Sequence, residues 1–101
     1  MLPPVVDEGQ VSIFKFWHGD RIQDGLYFRN ELYYRVATIN LDQRARLYHY
    51  ACRISQKSYA VVTMTQIHCS LWVSLRGSAT DLVAQALIYF PPVPPTKASG
   101  D

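Results

Sequence analysis

The sequence predicts an α+β fold: a two-layer sandwich of ββαββα order, with a mainly antiparallel sheet and two helices on one of its faces. Three observations predict it. In the stretch 67–76, Ile67, Cys69, Leu71, Val73 and Leu75 alternate with His68, Ser70, Trp72, Ser74 and Arg76, the period of a strand with one buried face. Residues 40–55 instead carry their apolar side chains at helical spacing. A capping signal followed by a second helical pattern comes at 78–90, so that strand, strand and helix occur twice.

In chain order, Val11 to His18 is rich in aromatic and β-branched residues and runs into the turn-forming His18-Gly19-Asp20, which predicts a strand. Residues 21–39 are expected to be extended as well. Asp24-Gly25 is a turn dipeptide, Arg29-Asn30-Glu31 either turns a short hairpin or forms a bulge, and Tyr33 to Ile39 is the clearest strand of the segment. Asn40 with Gln43 three residues on is a capping-box pattern, and Asp42 suits the positive end of a helix dipole. On that helix Leu41, Ala45, Leu47, Tyr48, Ala51, Cys52 and Ile54 are assigned to the inner face, and Arg46, His49, Tyr50, Arg53 and Lys57 to the outer. Residues 58–65 and 66–75 follow as two strands or one long bent strand, since no Gly or Asn marks a turn near Thr65-Gln66. Ser78 and Asp81 open the second helix, and Pro91-Pro92 end it. The domain organisation that follows is a flexible segment at 1–10, a single α+β domain at 11–90 and a Pro-rich disordered tail at 91–101.

A chain of 101 residues, 49% hydrophobic and only 18% charged, suits one folded domain with its own core. No apolar run approaches the ~20 residues that cross a bilayer, and the first ten residues bring prolines and acids where a secretion signal has a basic start and an apolar core. A soluble, cytoplasmic protein is expected, with Cys52 and Cys69 as reduced core residues. Charge is unevenly spread. Residues 1–42 hold six acids against four bases, whereas residues 43–80 hold Arg44, Arg46, Arg53, Lys57 and Arg76 and no acid.

Catalytic chemistry finds little footing. There is no G-x-S-x-G, and His68 and Cys69 are strand neighbours that point to opposite faces. His49 and Cys52 share a helix without a second ligand pair at zinc spacing. The glycines are too scattered to cradle a phosphate, leaving only the corner at Arg76-Gly77-Ser78. Asp20, Asp24 and Glu31 read as a solvated acidic loop. No catalytic, cofactor-binding or metal site is therefore assigned.

What stands out is surface. Trp72 falls among the polar residues of its strand with His68 and Arg76, and the helix sets Arg46, Tyr50 and Arg53 in a basic, aromatic stripe. Tyr, Trp and Arg are the residue types of interface hot spots, and equally of single-stranded nucleic-acid grooves. The expectation is a non-enzymatic protein-binding module, an accessory or regulatory subunit or a homo-oligomer, docking through an open sheet face that carries Trp72, His68 and Arg76, together with Arg46, Tyr50 and Arg53. The alternatives are a single-stranded nucleic-acid binder on the same surface, which a pI of 8.6 and the absence of a recognition motif disfavour, and a small ligand-binding domain or enzyme with a pocket between helices and sheet. The "PPVPP" of the tail has PxxP spacing but is also the ordinary look of a chain leaving its domain.

Overall fold

The computed structural model describes residues 2–76; the expected second helix and the Pro-rich tail lie outside them. Val5–Asp7 is β1, Ser12–His18 β2, Arg21–Phe28 β3, Glu31–Asn40 β4, Arg44–Ser55 α1, Ala60–Met64 β5 and His68–Ser74 β6.

Turn chemistry divides residues 12–40 into three strands. Gly19 takes φ +66° between β2 and β3, and Arg29 and Asn30 take φ 51° and 63° between β3 and β4, the paired positive φ values of a type I′ hairpin. Arg29 is an uncommon occupant, because left-handed backbone costs a residue with a Cβ about 1–2 kcal/mol. Asp24-Gly25, expected to turn, runs straight through β3. Its glycine provides room: a Cβ there would lie 2.6 Å from the Phe14 ring, so the β2 aromatics can lie across the neighbouring strand. Between β5 and β6 a threonine replaces the usual Gly or Asn. The Thr65 hydroxyl accepts from the N–H groups of Ile67 (3.3 Å) and His68 (3.0 Å), and the Thr65 N–H donates to the His68 carbonyl at 2.8 Å. These are two strands, joined by a side-chain-closed turn.

The helix is present, but its entry differs from the expected capping box. Asn40 makes no capping bond with its side chain; a 3-10 turn, Leu41–Gln43, leads into α1, and the Leu41 N–H donates to the Ile67 carbonyl at 3.0 Å. A tertiary bond thus does part of what a cap would do. Leu47, Tyr50, Ala51 and Ile54 pack on Ala60, Val62, Cys69, Leu71 and Val73 and on both Val36 and Ala37. Consecutive residues of β4 can face the helix because the register shifts between Arg35 and Ala37, a bulge that returns Thr38 to the same face as Arg35. Ala45, expected inside, is exposed. No helix among the described residues is long and apolar enough to cross a membrane.

The strand order is β1-β5-β6-β4-β3-β2, with β1 parallel to β5 and the other neighbours antiparallel. β1 and β2 are consecutive in sequence yet occupy opposite edges. Laid flat, six strands would separate those edges by about 24 Å, at roughly 4.8 Å per spacing; the chain from Asp7 to Ser12 reaches at most about 19 Å. The sheet must therefore curl until its edges approach. The face turned away from α1 becomes a concave interior holding a second core of Leu26, Tyr33, Val61 and Trp72, with Val6, Val11, Ile13 and Phe28 around it.

The architecture departs from the expected one in its element order and in the cover of its sheet. The order is not ββαββα with two helices on one face: the described residues form a mixed six-stranded sheet with one helix and its 3-10 entry, because residues 5–7 pair as a strand and 21–40 give two strands rather than one. The sheet face opposite the helix is not open around Trp72 either, because curling covers its middle.

Candidate functional site

The concave face explains why a tryptophan stands among polar residues: Ser70 and Ser74 are buried with it, while His68 is half-buried and Arg76 exposed at the ends of the strand. Trp72 is 0% exposed. Its indole N–H donates to Thr63 Oγ1 at 2.8 Å, and the Thr63 hydroxyl donates to Glu8 Oε2 at 3.0 Å. The Arg35 guanidinium lies over the indole, 4.5 Å from the ring centre, and Nη1 donates to Ser70 Oγ at 2.8 Å and Thr38 Oγ1 at 3.1 Å. Arg35 Nε sits 3.0 Å from Asp24 Oδ2, an ion-pair contact out of line for a hydrogen bond, and the other Asp24 oxygen is held by Lys15. A polar row thus crosses the sheet from Lys15 to Thr63 and ends on Glu8 in the 3-10 turn after β1. Its groups are largely matched to one another, as buried polar networks require.

The six residues expected to form one docking surface are scattered by the fold. Trp72 is inside. His68 begins β6, half-buried, where its N–H serves the Thr65 turn. Arg76 lies just past the opposite end of β6. Arg46 and Arg53 are exposed on α1, on the other side of the sheet, and Tyr50 between them is only 5% exposed. Tyr50 stands at the border between the charged and apolar stripes, so its ring tips into the core while the Arg53 guanidinium rests 5.3 Å from the ring centre.

The two ends of the curled sheet differ. At the β2–β3 turn, Trp17 and Ile22 are register partners on the concave side, yet they remain 70% and 60% exposed. At the β3–β4 turn lies a cavity of about 610 Å³, bordered by that turn, the start of β5, the residues before β1 and Arg76. Glu31 at its wall is held by Arg76, whose Nε donates to Oε2 at 2.9 Å and whose Nη2 donates to Oε1, and by the Ser74 hydroxyl. Hydrogen bonds from Arg76 and then Ser74 hold the Glu31 carboxyl below its ordinary pKa against the opposing effect of burial. Burial, reinforced by the Glu31 charge, raises the Tyr33 phenol, and burial raises the Cys69 thiol. Cys52 and Cys69 are both free.

Sequence reasoning passed over Trp17, Ile22, Arg29, Tyr33 and Tyr59. A signal existed for the first two. Trp17 lies two residues before a Gly turn, the tip of a hairpin where neighbouring elements are few. Comparison with protein-family models, with curated protein sequences and with solved structures finds no match to this chain.

Proposed function

We propose that this is a non-enzymatic protein-binding module that takes its partner along the outer edge of β2, with Trp17 and Ile22 as the anchoring pair. The observation that carries this reading is the exposure of Trp17 at 70% beside Ile22 at 60%. A tryptophan in solvent gives up burial worth about 2–3 kcal/mol, and it is the residue type most enriched where a partner supplies that burial.

The edge itself supports the reading. β2 pairs with β3 through an unbroken register from Ser12 to His18, and it lacks the prolines and bulges that block edge pairing elsewhere. Lys15, the one charge on the strand, is tied to Asp24. Among the described residues no strand pairs with the outer side of β2, so toward its Trp17 end, away from the short link that draws β1 close at Ser12, its backbone groups suit an added strand from a second copy or another protein. Arg46 and Arg53 lie on a different face and could steer approach without touching this patch.

The test compares wild type with the Trp17→Ser/Ile22→Ser double variant by sedimentation over a wide concentration range and by affinity capture with and without nuclease. Self-association or protein capture that the double substitution abolishes, while the melting temperature stays within a few degrees, supports the reading. Association unaffected by the substitution, no association in either assay, or capture that disappears with nuclease and falls steeply with salt would overturn it, the last in favour of a single-stranded nucleic acid.

A further inference from the structure

We infer that the cavity at the β3–β4 turn is a binding site for a small aromatic anion, a ring bearing one carboxylate or phosphate group. The site lies at the opposite end of the sheet from Trp17 and stands independently of the docking edge.

Its size comes first. A volume of about 610 Å³ falls within the roughly 300–1,000 Å³ of small-molecule pockets. The walls divide by chemistry. Leu2, Pro3, Pro4 and Phe28 make an apolar side, and Tyr33 and Tyr59 add aromatic rings; Tyr59 is 54% exposed, a large surface for a ring to cover.

Charge points to an anion. The acid at the wall, Glu31, is occupied: both carboxylate oxygens are taken by Arg76. That contact uses Nε and Nη2 and leaves Nη1 of a guanidinium whose plane Glu31 fixes. Arg29 has no ion-pair partner among the described residues; its guanidinium rests over the Phe28 ring, 4.8 Å from the centre. Two cations thus border the cavity while its acid is neutralised. The negative end of α1 is also closed off, because the N–H groups of Gln56, Lys57 and Ser58 cap the carbonyls of Arg53 and Ile54.

Two further features fit a ligand better than a surface dip. Arg29 holds a left-handed backbone that glycine would occupy without strain, so what arginine adds at this position is its side chain. Ser58 lines the cavity, and its hydroxyl is buried with no hydrogen-bond partner among the described residues, a donor that calls for an acceptor. An anionic group held by Arg29, Arg76 and Ser58, with its ring on Tyr59, would use these features together.

The experiment is an NMR titration of the full chain with benzoate, with phenyl phosphate and with the neutral benzyl alcohol. The expected result is saturable shifts confined to the amides around Asn30, Tyr33, Ser58 and Tyr59, with the better anion at least about tenfold tighter than the alcohol. Arg29→Gly, which suits the turn, should keep the fold and weaken anion binding by about tenfold; Ser58→Ala should weaken it by about threefold. No saturable shift up to about 10 mM of either anion, equal binding of the neutral alcohol, or undiminished binding by Arg29→Gly would overturn the assignment. Preference for phenyl phosphate over benzoate, or the reverse, tells which anionic group the arginines read.

Discussion

The two faces of β6 are buried by different means, and they are built differently. The Leu71 face is covered by α1 and is nearly all apolar. The Trp72 face is covered by the curl of its own sheet, and it combines Trp72, Leu26 and Val61 with Thr63, Ser70, Arg35 and Asp24. A helix docking on a sheet brings only its side-chain stripe, which offers apolar contact and few directional partners. A sheet folding toward itself brings successive strands in fixed register, so that a polar group on one strand meets a chosen partner on the next. Burial by an external helix selects for hydrophobicity, whereas burial by curvature admits polar residues whose partners lie one or two strands away.

The largest expected effect lies at Trp72. Trp72→Ala should remove about 3–5 kcal/mol of stability and be read as a lower midpoint in urea; a loss under 1 kcal/mol would mean that the concave face is not a packed core. Thr63→Val tests the polar half of that face. It strands the indole N–H and the Glu8 carboxylate together, so a loss of about 1–3 kcal/mol is expected, while the similarly shaped Val62→Thr on the helix face should cost at least as much by burying a hydroxyl without a partner. If Thr63→Val proved neutral, the hydrogen bonds of the concave face would contribute nothing to its specificity.

Smaller effects sharpen the picture at the cavity end. Arg29→Gly relieves the left-handed backbone and should change stability by no more than about 1 kcal/mol, with the sign set by the greater freedom of glycine in the unfolded chain; thermal melts decide it. Glu31 makes the acid side of the stability curve report on this end. Its pKa is lowered in the folded state, so its contribution is complete above the ordinary glutamate pKa, about 4.3, and is lost as pH falls through the lower folded value. Glu31→Gln should therefore lower stability near neutrality and flatten the slope below about pH 4.5. A variant with an unchanged acid slope would show that Arg76 does not hold the carboxylate in solution.

Much of the local structure can be read along the chain. The alternation at residues 67–75 and the β-branched, aromatic run at 11–18 specify strands, and the spacing of Leu47, Ala51 and Ile54 specifies a helix, because backbone geometry fixes those periods whatever the surroundings. Polar residues opposite Leu71 and Val73 are equally plain. Which side of the sheet meets water is not, since alternation separates two faces without saying what covers each. That was settled by topology: β1 and β2 lie at opposite edges with only residues 8–11 between them, and a chain too short to span a flat sheet forces the curl that buries Trp72. The same long-range geometry placed Gly25 under an aromatic ring rather than in a turn and left Trp17 in solvent. Period and turn chemistry are local, and sequence alone determined them; coverage, convergence and exposure depend on how far apart the edges of a sheet must be, which only the assembled tertiary structure decides.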